Sequence, residues 1–235
     1  MRPLFLLLPC LILVGCGHQE TSSSESDTTQ PPAAQLTEQI KNETTVASQP
    51  EGDTKVQAAV DSPKVEYSSA TPIEAVTNFL EGIVNGNFDQ AKSAVVFDEK
   101  VKAYLVANIE SVRAMDNFAR ADNEHFGKEG AMPVGLMRTT MLSTLPNAKT
   151  VLIDDDHAEV TMGSPLPMKL VRHADGWKVD FTGPESEQLL EMVPKVFGDT
   201  AKMFNQVRAG ILDGSIKTRV ESRQEISRLK AKYGL

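Results

Sequence analysis

Four residues late in the chain combine types that could do chemistry: Asp154, His157, His173 and Lys178. Two imidazoles beside a carboxylate can hold zinc or a related transition metal. Aligned across neighbouring strands, the four make one row. Lys178 then brings a like charge to any cation, and no third firm ligand stands beside the histidines. An exposed cross-strand polar row accounts for the same residues and is the reading favoured, so neither a metal nor another cofactor is expected. Arg172 and Tyr104 are a second set, a cation and a phenol that could serve an apolar interior. No serine-histidine-aspartate set or phosphate-binding loop is present. The only cysteines are Cys10 and Cys16.

The elements around those cysteines define the start of the chain. Arg2 precedes an apolar run from Leu4 to Val14, interrupted by Pro9 and Cys10. Spanning a bilayer takes about twenty apolar residues, and this run has the length of a signal-peptide core. Its end, Leu13-Val14-Gly15-Cys16, resembles the lipobox of bacterial lipoproteins. The resemblance implies removal of residues 1–15 and acylation of Cys16. Several acyl chains at roughly 0.8 kcal/mol per buried CH₂ give a stable membrane anchor. The protein is then extracytoplasmic, and Gly17 in place of Asp favours the periplasmic side of the outer membrane in a cell with two membranes. With Cys10 removed and Cys16 acylated, the remainder has no thiol nucleophile and no disulfide.

Residues 16–69 form the expected tether, rich in Ser, Thr, Gln, Glu, Ala and Pro without a hydrophobic period. Nine acids and three lysines fall between Gly17 and Ser69. Such a composition buries too little apolar surface to offset ordering entropy, so disorder is expected, with a span of roughly 40 Å. From Ala70 onward, 23 acids face 20 bases. That balance gives no reason to expect nucleic acid as a partner. The remaining length suits one core.

Thr71-Pro72-Ile73-Glu74 reads as a capping box with proline in the first turn. An apolar stripe from Ile73 to Val84 follows, and Gly86 stops the helix. Asn87-Phe88-Asp89 begins a short helix to about Val96, and Asp98 caps a long one carrying Val101, Leu105, Ile109, Val112, Met115 and Phe118. The stretch 126–147 is ambiguous: Val134, Met137, Met141 and Leu145 suggest a helix that its glycines and prolines weaken. The period then changes to alternation. Strands are expected at 149–154, 157–162, 167–174 and 177–181, with two-residue turns at Asp155-Asp156 and Asp175-Gly176.

This order, with the Gly-Asn-Phe-Asp step and Lys169-Leu170-Val171-Arg172 followed by Asp175-Gly176-Trp177-Lys178-Val179-Asp180, resembles the nuclear transport factor 2 and ketosteroid isomerase superfamily. More narrowly, it resembles uncharacterised bacterial lipoproteins of that type. The resemblance covers 70–182 and implies an α+β fold, with helices packed against a curved antiparallel meander that forms a cone. The alternation sets a register in which Ala158 opposes Arg172, Val160 opposes Leu170, and Arg172 opposes Val179. Val151, Ile153, Ala158, Val160, Met162, Met168, Leu170, Val179 and Phe181 then point inward, with Arg172 the one charge. The candidate pocket is Arg172, Tyr104, Leu170, Phe181 and Val160. An isomerase or dehydratase of the superfamily's kind needs a carboxylate or imidazole inside, such as His157, His173 or Asp180 near Tyr104. This register supplies none, so no catalytic residue is named.

Residues 183–235 are expected as a helical extension. A helix opens at Gly183-Pro184-Glu185, bends or breaks at Pro194 or Gly198, and closes at Leu212-Asp213-Gly214. Ser215 is expected to cap a final helix with Lys217, Arg219, Arg223, Arg228, Lys230 and Lys232 against Glu221 and Glu225. This is a candidate contact for an acidic partner or anionic surface, although a solvated helix docked by its thin apolar stripe is favoured. The function expected is a membrane-anchored, non-catalytic binding or interaction domain. A carrier of a small apolar acidic ligand steered by Arg172 is the alternative, and an open cavity of a few hundred Å³ would favour it. The oligomeric state is left open.

Overall fold

The computed structural model describes residues 67–163 and 166–235. The expected signal, the acylated cysteine and the tether up to Glu66 lie outside them. Among the described residues the chain is α+β, with six α-helices, one short 3-10 turn and a four-stranded antiparallel sheet.

Helix α1 (Pro72–Asn85) begins at the expected capping box, with both reciprocal hydrogen bonds between Thr71 and Glu74 formed, and ends on left-handed Gly86. Helix α2 (Phe88–Ser93) is capped by Asn87. Gly82 lets these two helices approach, since a Cβ there would stand 2.4 Å from the Ala91 nitrogen. Helix α3 (Glu99–Phe126) is capped by Asp98. The ambiguous stretch resolves into α4 (Leu136–Leu142) and the 3-10 turn Leu145–Asn147. Strands β1 (Lys149–Leu152), β2 (His157–Thr161), β3 (Met168–His173) and β4 (Gly176–Val179) follow in meander order. Helices α5 (Pro184–Leu212) and α6 (Arg219–Tyr233) complete the chain.

The register differs from the expected one at each hairpin. Asp154 accepts from the amides of Asp156 and His157, each at 2.8 Å. This longer turn sets Leu152 opposite Ala158. A one-residue slip reverses the faces, so Thr150 and Leu152, not Val151 and Ile153, share a face with Ala158 and Val160. At the last hairpin His173 opposes Gly176 and Arg172 opposes Trp177. Gly176 therefore opens a strand rather than closing a turn. Its φ is +119°, and a Cβ would lie 2.5 Å from the Ser69 carbonyl oxygen, so only glycine admits the segment that crosses there. Ser69, placed in the expected tether, bridges to Gly176 in parallel. The central pairing also shifts, with Ala158 opposite Leu170, but by two residues, so the faces are kept.

The sheet's buried face, with Ala158, Val160, Leu170, Trp177 and Val179, packs on α1, α2 and the first half of α3. Helices α3 and α5 run parallel: Lys100 pairs with Glu187 near their starts at 2.9 Å, and Phe118 meets Phe204 farther on. Each is about 42 Å long. Of the expected bend or break at Pro194 or Gly198, a break does not occur: helix α5 is continuous through both, packed along α3. Beyond the sheet the two helices form a second core with α6, including Met203, Phe204, Val207, Ile211 and Leu229. Helix α6 is capped by Thr218 through a capping box with Glu221, not by Ser215. Ser215 instead donates to the Gly210 carbonyl. No helix among the described residues is long and apolar enough to cross a membrane.

Candidate functional site

A cavity of about 390 Å³ opens where the sheet's β2–β3 end meets the helices. Helix α1 contributes Phe79, Leu80 and Ile83 at helical spacing, and α4 contributes Met137 and Met141. The sheet side supplies Val160, Met162, Met168, Val179 and Phe181, and α5 supplies Leu189, Val193 and Phe197. Phe79, Tyr104 and Phe181 form an aromatic group, with centroids 6.5 Å, 5.9 Å and 5.3 Å apart in the pairs Phe79–Tyr104, Phe79–Phe181 and Tyr104–Phe181. The wall is apolar and wide enough for a small organic molecule.

Polar groups occupy two zones. On the inner wall, Tyr104, Asn108 and Ser111 follow one another along α3 at i, i+4 and i+7. Asn108 and Ser111 are buried, and Asn108 donates its amide to the Tyr104 carbonyl at 2.8 Å. Burial pushes the Tyr104 phenol up to about 12, partly offset by hydrogen bonding with Asn108. At working pH Tyr104 is a neutral hydroxyl, able to donate a hydrogen bond. At the rim, Lys169 of β3 pairs with Glu185 in the first turn of α5, and Asp180 stands beside them. The Lys169 ammonium holds the Glu185 carboxyl below its ordinary range. Asp180 accepts from the Thr182 amide at 2.8 Å and acts electrostatically on Lys169.

Of the expected pocket residues, Tyr104, Val160 and Phe181 line the cavity. Leu170 is buried in the core but is not part of the wall. Arg172 is exposed: opposite Trp177 near the last hairpin, it sits at the other end of the sheet. The charge expected inside is therefore absent from the wall. Asn108 and Ser111 were not anticipated. Their signal is a polar pair set beside the apolar stripe of α3, Leu105 to Val112.

The polar row does not assemble. His157 opposes Val171, Val171 opposes Lys178, and His173 opposes Gly176. Asp154 still meets His157, with Nδ1 2.9 Å from Oδ1, but as part of the turn. The amides of that turn, Asp156 foremost, together with His157 hold the Asp154 carboxyl below its ordinary range. Lys178 pairs with Asp175 at 2.7 Å. Among the described residues no three His, Cys, Asp or Glu side chains gather as a metal site would need.

On α6, Arg219 turns inward, while Arg223 stays exposed and reaches the loop after α3. Arg219 pairs with buried Asp122 at 2.9 Å and donates to the carbonyls of Asp122, Gly127 and Glu129 at the end of α3. Arg223 donates to the Gly130 carbonyl, and Arg228 pairs with Glu225 within the helix. Comparison of the chain with protein families, curated proteins and solved structures finds no match.

Proposed function

We propose that this chain is a lipid-anchored extracytoplasmic binding domain that takes a small, uncharged apolar ligand into the cavity between the sheet and helices α1, α3 and α5. The observation that carries this reading is an open, largely apolar volume of about 390 Å³ beside the core that the sheet forms with the helices. The anchor rests on the lipobox at Cys16. Two helices, a long third helix and a four-strand meander packed by one face favour a cone of the nuclear transport factor 2 type.

The rim argues for an uncharged ligand over the acidic one expected from Arg172. Lys169 is committed to Glu185, and Asp180 adds a further negative charge. An anion entering there would meet a surplus of carboxylate. Titration with the neutral fluorophore N-phenyl-1-naphthylamine should give saturable binding, and its anionic relative 8-anilinonaphthalene-1-sulfonate should bind more weakly. Leu189→Trp, at a half-buried wall position, should fill the cavity and abolish the signal while the far-ultraviolet circular dichroism is retained. Unchanged binding in that folded variant would refute the reading.

One observation favours a second reading, proton transfer, because Asp180 and Tyr104 line the same cavity. It requires that the chain catalyse deuterium exchange at a carbon beside a ketone, and that Asp180→Asn abolish the exchange without reducing fluorophore binding.

A further inference from the structure

The two edges of the sheet are finished differently. Along β4 the outward backbone groups are taken: Trp177 donates to Ser69 and Val179 to Ala94, each at 2.8 Å, while Val96 donates to Val179 at 2.9 Å. Along β1 they are not. Ile153 donates to the His157 carbonyl at 2.9 Å, and antiparallel pairing alternates the direction of successive residues. Val151 therefore faces β2, opposite Glu159, and Thr150 and Leu152 aim their N–H and C=O groups away from the sheet. Those groups meet no partner among the described residues. Val151, Leu152 and Ile153 are 55%, 64% and 60% exposed, on both faces of the strand. A free edge with apolar side chains and no proline or inward charge is a template for another strand.

We propose that β1 pairs antiparallel with β1 of a second copy of this chain, so that one sheet runs through a two-fold dimer. Charge selects both the partner and the direction. Lys149 opens the strand, and the acidic turn Asp154-Asp155-Asp156 follows it. Antiparallel pairing lays the lysine of each copy against the acidic turn of the other, and the two-fold axis makes the match twice. Parallel pairing would set acid against acid, which opposes association. With Val151 on the axis, Thr150 of one copy faces Leu152 of the other. These residues carry the free backbone groups, so each outward N–H meets an outward C=O. The interface is small, and the dimer is accordingly weak and concentration-dependent.

Cross-linking in the full chain tests this. Val151→Cys places two thiols opposite each other on the axis, within disulfide reach. Mild oxidation should yield a covalent dimer well above that of the parent chain, which controls for Cys10 and Cys16, and of Leu212→Cys, an exposed position on α5. Adding Lys149→Glu to Val151→Cys should reduce the yield several-fold, and adding Asp155→Lys as well should restore it. The proposal is overturned by equal yields at 151 and 212, by indifference to Lys149→Glu, or by capture of a different protein at 151. Fluorophore binding does not enter the readout, so this outcome is independent of the ligand reading.

Discussion

Tyr104 is the residue on which the chemistry of the cavity turns, because it sets a neutral phenol hydroxyl at the apolar wall beside the buried Asn108 and Ser111. Its folded-state value of about 12 exceeds the ordinary 10, so the fold favours the protonated phenol. That contribution is complete below about pH 10 and is lost as pH rises towards 12, since the unfolded chain releases its proton first. Two pH units correspond to about 2–3 kcal/mol. Urea unfolding of the parent chain should therefore show a steeper alkaline loss of stability than that of Tyr104→Phe, and parallel curves would refute the burial of the hydroxyl. Gly82 argues a second case at this scale. Alanine in a helix gains about 1 kcal/mol over glycine, but a Cβ here meets the Ala91 backbone at 2.4 Å. Overpacking against backbone costs about 1–3 kcal/mol, so Gly82→Ala should lower the melting temperature despite its better helix propensity. These two residues also differ in legibility. Tyr104 stands out as a polar group on an apolar stripe, whereas the demand at Gly82 comes from a neighbouring helix and leaves no local pattern.

Helices and strands were readable where the hydrophobic period and the caps carry the signal, and misread where a single side-chain or backbone contact decides. The capping box of α1, the Asp98 cap of α3 and the 3.6-residue stripe define these two helices directly. Strand positions follow from alternation, but register does not: the Asp154 carboxylate lengthens one turn, and the passing Ser69 carbonyl claims Gly176. The two-residue shift of β2 on β3 separates His157 from His173, and Arg172, opposite Trp177, lies at the hairpin end of the sheet away from the cavity. Pro194 is the parallel case in α5, where packing on α3 outweighs a local helix-breaking signal. Asp122 was legible in principle, since it continues the α3 stripe Met115, Phe118 and so demands a buried partner. Arg219 supplies it and at the same time closes the carbonyl end of α3, where positive charge is favoured. Removing one member of such a pair costs about 3–5 kcal/mol, while replacing both with apolar groups can be near neutral. Asp122→Ala should shift the urea midpoint down strongly, and Asp122→Ala with Arg219→Met should recover much of the loss. No recovery would mean that the carbonyl contacts of Arg219, not the ion pair, hold α6.

At the scale of the whole molecule, the proposed lipid anchor competes with the basic last helix as a means of membrane attachment. No described helix provides a span, and the two attachments proposed from the sequence are acylation of Cys16 and the basic last helix. Their contributions separate on physical grounds. The excess positive charge of α6 acts through an electrostatic attraction that salt screens. Much of that charge is already engaged, with Arg219 and Arg223 on α3 and its following loop and Arg228 on Glu225. Acyl chains act through apolar burial, which salt does not weaken. The anchor reading therefore predicts that metabolic palmitate labels the parent chain and not Cys16→Ser. It also predicts that the parent chain stays with membranes through a high-salt wash, and that Cys16→Ser loses membrane retention already at low salt. Retention of Cys16→Ser at low salt, reversed by salt and by Lys230→Glu with Lys232→Glu, would move the attachment to the last helix. Since α6 packs on the far half of α3 and α5, away from the sheet, a protein held there would present its cavity and its β1 edge outward, without the reach that a tether gives.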